Sequence, residues 1–241
     1  HQSLVTTLTP AKGQDIVAPD LGIMGSGNIV REGAPLSAFY GYEMDGLTEE
    51  GLFNYVDQNG DGEINQKDRV ILGDPYPDFN YGLSSSLEYG DFKLDLAVQG
   101  VQGKTIFNMN RYRFYGSSHR GNNSIAEVAE KRWTQENPDP NAPYPKATPY
   151  LNQDPSEWYL EDASYLRIQN VQLTYNLPVE NLNFLRQASI YISGQNLYTF
   201  TGYSFYSPDV STYGSGDLRK GVDRMTYPPV RTFTMGINVG F

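Results

Sequence analysis

No cysteine occurs in the 241 residues. That excludes a disulfide framework, cysteine-ligated zinc and thiol redox chemistry. Histidine is almost as scarce: His1 and His119 are the two copies, and neither stands in a nucleophile pattern. No G-x-S-x-G elbow, H-E-x-x-H helix or Walker loop is present, so the chain is read as not an enzyme. Carboxylates are numerous enough for a glycosidase pair, but no motif singles out two of them. Basic residues are the minority, 18 against 28 acidic, for a net charge of −10. A nucleic-acid partner needs the opposite sign, and so does docking on an anionic cytoplasmic leaflet. No apolar run approaches the roughly 18 residues of a membrane-spanning helix. Nor does His1 open a charged n-region followed by an apolar h-region. The expectation is a mature chain or a piece cut from a longer one.

What is present is tyrosine and alternation. There are 19 Tyr, and apolar residues make up 39% of the chain, a share that fits a soluble protein or a membrane β-barrel. From Thr232 to Phe241, Phe233, Met235, Ile237, Val239 and Phe241 fall on one face of a strand. Thr232, Thr234, Gly236, Asn238 and Gly240 fall on the other, small and polar as a lumen wall would be. The same period places Phe92, Leu94, Leu96 and Val98 opposite Lys93, Asp95, Ala97 and Gln99. Leu166 and Ile168 share a face, then Val171, Leu173 and Tyr175; the phase slips at Asn170, which predicts a bulge. Weaker strands are expected at 81–89 and 187–200, a long extended segment at 29–47, and a strand tail at 3–8.

The connections sort by length. Strands 78–89 and 91–103 meet at a tight Tyr89-Gly90-Asp91 turn, and strands 164–177 and 187–200 are joined through Pro178. Long segments, 47–77, 104–163 and 201–229, alternate with these short turns, as periplasmic turns and extracellular loops do in outer-membrane barrels. The segment 124–134 carries Ile125, Val128, Ala129 and Trp133 at helical spacing, and the prolines from Pro138 to Pro149 then enforce irregular chain. The tyrosines from Tyr198 to Tyr213 suit an interfacial belt or loop packing better than a sugar platform.

One motif carries metal chemistry. Asp57-x-Asn59-x-Asp61-Gly62 with Asp68 at the closing position follows the calcium-loop pattern. Asp57, Asn59 and Asp61 would offer side-chain oxygens, Glu63 its backbone carbonyl, and Asp68 the closing carboxylate. Ile64 would pin the loop. A Ca2+ ion taking about six to eight oxygens fits better than Mg2+. The closing Asp is shorter than the Glu of an EF-hand, as in dockerin loops, and no EF-hand helices flank it. The expectation is a structural site; the alternative is a solvated Asp/Asn/Gly turn.

Several of these segments resemble the SusC-like TonB-dependent transporter family of Bacteroidetes. They are GAPLSAFYGYEMDGL at 33–47, YVDQNGDGEINQKDRVILGDPYPDFNYGL at 55–83, YLEDASYLRIQNVQLTYNLP at 159–178, YISGQNLYTFTGYSFYSPDV at 191–210 and YPPVRTFTMGINVGF at 227–241. The resemblance implies an all-β fold, the last six or seven strands of an antiparallel transmembrane barrel of about 22 strands around an internal plug. It implies a bacterial outer-membrane location and import of oligosaccharides or peptides. The implied partners are a SusD-like surface lipoprotein, TonB acting through a region before His1, the plug and earlier strands of the same transporter, and the barrel-assembly machinery. Phe241 would be the assembly signal. The competing expectation is a soluble, calcium-stiffened β-sandwich that binds carbohydrate, which would stay monomeric without detergent. A dockerin-like module needs a second calcium loop, and only one copy is present.

Overall fold

The computed structural model describes residues 4–8, 13–22, 24–115, 123–148, 154–179, 184–214 and 217–241. His1 and His119 lie outside the described residues. In chain order the strands are β1 (Ile16–Val17), β2 (Asn28–Val30), β3 (Ala38–Tyr42), β4 (Met44–Leu47), β5 (Phe53–Tyr55), β6 (Arg69–Gly73), β7 (Phe79–Tyr89), β8 (Phe92–Gln102), β9 (Thr105–Asn108), β10 (Leu160–Asp162), β11 (Tyr165–Leu177), β12 (Gln187–Thr201), β13 (Val222–Asp223) and β14 (Thr232–Gly240). Two short helices, α1 (Asn110–Phe114) and α2 (Ala126–Lys131), lie between β9 and β10. The chain divides into two compact units that interleave in sequence. One comprises 77–103, 163–208 and 227–241; the other comprises 1–76, 104–162 and 209–226.

The first unit is one antiparallel sheet in the order β14-β12-β11-β8-β7. Its register aligns residues of one kind across all five strands. Leu87, Leu94, Leu173, Ile192 and Met235 form one row, and Tyr89, Phe92, Tyr175, Ile190 and Ile237 the next. On the reverse face, Ser86, Asp95, Gln172, Ser193 and Thr234 make a row, and Glu88, Lys93, Thr174, Tyr191 and Gly236 another. A one-residue slip of any strand would exchange these faces, so side-chain chemistry pins the register. The expected bulge is present: pairing shifts between Ile168 and Asn170 against both β8 and β12. The extra residue restores Leu166 and Ile168 to the face carrying Val171 and Leu173. Asn196, opposite this shift, takes a left-handed φ of 52°, a conformation Asn tolerates better than branched residues. Gly90, at φ 56°, closes the turn between β7 and β8.

This sheet has five strands rather than the expected six or seven. The extended segment 29–47 breaks instead into β2, β3 and β4 of the second unit, as its poor alternation allows. Leu4 makes only an isolated bridge to Pro35.

The second unit has small sheets, β1-β2-β3-β6, β10-β9-β13 and β4-β5, around its own core. Leu21, Met24, Phe39, Phe107, Tyr159 and Val222 are buried together there. Phe107 and Tyr159 stack with ring centroids 5.2 Å apart. A second cluster gathers Tyr42, Leu47, Phe53, Tyr55 and Trp133. The segments 47–77, 104–163 and 201–229, read from sequence as separate loops, therefore contribute most of their length to one packed body. The helix expected over 124–134 is α2, shorter at both ends, with Val128 buried.

Candidate functional site

Two features were singled out by sequence: the faces of the sheet and the Asp57–Asp68 loop. In the sheet, burial runs opposite to that of a soluble protein. Leu87 is 63% exposed, Ile192 55%, Met235 78% and Phe233 71%, whereas Arg167, Thr174 and Ser193 on the reverse face are below 10%. Phe241, the expected assembly signal, is also exposed. Two aromatic–glycine pairs shape the surfaces. Tyr81 lies across Gly100 on the apolar face, and Tyr191 lies across Gly236 on the polar face, each where a Cβ would collide with the ring. Lys93 sits between Glu88 and Asp95, at 3.9 and 3.7 Å, on the polar face.

The Asp57–Asp68 loop leaves β5 and returns through a single 3-10 turn, Gln66–Asp68, into β6. Asp57 Oδ1 accepts from Gly60 N and Oδ2 from Gly62 N, both at 2.7 Å. Asn59 Oδ1 accepts from Asp61 N at 2.8 Å, and Asp61 Oδ1 from Glu63 N at 3.0 Å. Gly60 and Gly62 take φ values of 72° and 82°, which the tight wrap requires. The backbone N–H of Gly62, then that of Gly60, holds the Asp57 carboxyl below the usual aspartate range.

Asp68 is fully buried and ties the loop's two ends together. Its Oδ1 accepts from Gln58 N at 3.1 Å, and its Oδ2 from Asn65 N at 2.8 Å. Asn65 returns the favour by capping the turn, its Oδ1 accepting from Lys67 N. Ile64 does not pin the loop as expected: it is 45% exposed, and Asp68 does that work. Glu63 is exposed. Among the described residues, no three His, Cys, Asp or Glu side chains stand close enough together to hold a metal. The loop is thus wrapped on its own amides, with its carboxylates not gathered about one point.

Sequence reading missed a buried polar network in the second unit. Glu161 Oε1 accepts from Asn108 Nδ2 at 2.8 Å and from Arg111 Nε at 2.7 Å. Asn110 donates from Nδ2 to Asp223 at 3.0 Å and accepts from Met225 N at 2.8 Å. These bonds fasten the 209–226 segment to α1. The partners are up to 115 residues apart, so no local spacing announces them.

A single antiparallel sheet with an exposed apolar face and a polar reverse resembles part of a membrane β-barrel wall. The comparisons agree. The chain is 33% identical over 249 residues to the TonB-dependent receptor P26 of Formosa agariphila, a match covering 94% of this chain and 25% of that protein. It is 24% identical over 213 residues to the TonB-dependent receptor SusC of Bacteroides thetaiotaomicron, covering 83% of this chain and 18% of the relative. Its fold matches the RagAB peptide importer in the open-open state, with a TM-score of 0.79 and 23% identity over 99% of this chain and 25% of the other. No protein-family model matches. The chain spans about a quarter of the length of the first relatives it matches. In sequence and fold it is homologous to the SusC-like TonB-dependent transporters of Bacteroidetes.

Proposed function

We propose that this chain is the C-terminal part of the barrel of a TonB-dependent outer-membrane transporter, which imports oligosaccharides or peptides. The observation that carries the reading is the pair of apolar rows crossing all five strands, exposed except at the half-buried Tyr175. In water such rows would have to be buried; in lipid they need no cover. Among the described residues the outer strands β14 and β7 each pair on one side only, so closure takes strands from elsewhere in the same protein, with the plug inside. The polar rows then face the lumen. The short turns at Gly90 and 178–186 are periplasmic, and the segments packed in the second unit are extracellular, where they meet a SusD-like lipoprotein. TonB supplies the energy through a region outside this chain. The reading assigns no catalytic step.

The test is growth of cells lacking the full-length gene on single glycans and peptide mixtures. Loss of growth on one class, restored by the gene, supports import. Normal growth on all of them, with the protein in the soluble fraction, rejects it. A soluble sandwich is the lesser reading, because among the described residues the first unit holds one sheet and its apolar rows are exposed.

The Asp57–Asp68 loop carries a separate proposal, a structural Ca2+ site on the extracellular side. Asp57 Oδ1, Asp57 Oδ2, Asp61 Oδ1 and Asp68 Oδ2 each accept one amide and keep a further lone pair for an ion, whereas Asp68 Oδ1 accepts from both Gln58 N and Asn59 N. A modest inward turn of Asp57, Asn59 and Asp61, with the Glu63 carbonyl and Asp68, would complete the oxygen shell. Calorimetric titration of the full-length protein with Ca2+ tests it: Asp61→Asn should abolish a saturable signal that Mg2+ fails to reproduce. No signal in the unaltered protein would leave the loop a simple amide-wrapped turn.

A further inference from the structure

Three of the chain's five methionines meet in one cavity of the second unit. Met24 and Met109 form its floor, both buried, and Met225 stands at its edge, 51% exposed. The cavity holds about 190 Å³. Arg113 and Arg224 also line it, both on exposed positions. Neither guanidinium makes a salt bridge or side-chain hydrogen bond among the described residues, although the chain as a whole is acidic. The Asp223 carboxylate accepts from Asn110 Nδ2 and from Thr226 N. The backbone at Met225 takes a left-handed φ of 56°, unusual for a side chain with no local hydrogen-bonding group. The Asn110 bond to Met225 N and the Asp223 bond to Thr226 N hold it there. Backbone strain kept in place by a buried network marks the edge of this cavity as a built position.

We propose that this cavity binds the C-terminal residue of a peptide, with an apolar side chain on the methionine floor and the carboxylate between Arg113 and Arg224. The volume is below the roughly 300–1,000 Å³ of a drug-sized ligand site, so it admits one side chain. Thioether walls are soft and adaptable and accept varied apolar shapes. A soft metal ion, which thioethers otherwise suit, is disfavoured by two cationic residues lining the same cavity. Two guanidinium groups beside an apolar recess match a carboxylate attached to an apolar group. The inference deepens the transporter reading and rests on it for the source of the peptide; binding itself is measured independently of transport.

The test uses the full-length transporter purified in detergent, with calorimetry and saturation-transfer NMR. The probes are N-acetyl-leucine, N-acetyl-leucinamide and octanoate. N-acetyl-leucine should bind saturably and at least ten-fold more tightly than the amide. The double variant Arg113→Gln/Arg224→Gln should remove that ten-fold difference and leave amide binding unchanged. Both positions are exposed, so the variant should fold as the unaltered protein does. Met225→Ser should weaken acid and amide alike. Equal binding of acid and amide overturns the proposal, as does a double variant that keeps the preference. Octanoate binding more tightly than N-acetyl-leucine assigns the site to fatty acids and overturns the peptide source. If growth assays show import while these probes fail, the inference falls and the transporter reading stands.

Discussion

Two glycines show how much a single residue's surroundings decide. Gly51 and Gly60 have nearly the same backbone, φ 77° and 72°. A Cβ on Gly51 would enter the Trp133 ring, whereas one on Gly60 meets nothing within 4 Å. Gly60→Ala should therefore cost only the left-handed penalty, about 1–2 kcal/mol. Gly51→Ala adds overpacking and should cost about 2–5 kcal/mol in all. Denaturant unfolding followed by Trp fluorescence would separate the two; equal losses would mean that the Trp133 contact is slack. A second prediction concerns Asp217, whose carboxyl is held down to about 2 by hydrogen bonds from the Arg219 side chain and then its backbone N–H. A depressed carboxyl stabilises the folded state fully above its ordinary value of 3.8, and that contribution disappears as the pH falls from there to about 2. In Arg219→Gln, carboxyl NMR should find Asp217 titrating back toward the ordinary range. An unchanged titration would remove Arg219 as the cause.

Among the elements, β11 carries the sharpest test of register. Gln169 is the residue left over where pairing shifts between Ile168 and Asn170. Removing it keeps Ile168 and Val171 on one face, because Asn170 alone then separates them. Deletion of Gln169 should reduce folded protein only modestly. Inserting one serine after Gln172 should turn Leu173, Tyr175 and Leu177 onto the polar face and abolish the folded, heat-modifiable form on gels. If both changes behave alike, the bulge is not what sets the faces. The strands were legible in the sequence for the same reason the insertion should be lethal. A period-two pattern is local, and β7, β8, β11, β12 and β14 all stand within two residues of where alternation puts them. The elements of the second unit were not legible, because β1, β2 and β13 are two or three residues long and carry no periodicity of their own. They form where buried neighbours from distant segments supply the other half of each contact. The methionine cavity was hidden for the same reason, since Met24, Met109 and Met225 are spread along nearly the whole chain.

For the whole molecule, the exposed rows predict behaviour in solution. Expressed alone without detergent, the chain should aggregate through its apolar face and its two singly paired outer strands. Detergent or lipid should disperse it, and light scattering reads the difference. A clean monomer in plain buffer would favour the soluble-sandwich reading. The family resemblance was legible because its motifs are contiguous stretches, whereas the body formed by 1–76, 104–162 and 209–226 is discontinuous.

That discontinuity has a kinetic consequence. β13, at Val222–Asp223, pairs in parallel with β9 at Phe107–Asn108, more than a hundred residues earlier. A parallel pair closed over so long a stretch pays its loop entropy before the contact repays any of it. Val222 is wholly buried in the main core, and Asp223 anchors Asn110. The second unit therefore cannot finish packing until β7, β8, β11 and β12 have all been synthesised. Its maturation is a late event in the life of the chain, and a nascent polypeptide halted before Val222 would display an unfinished core to any protease that surveys it.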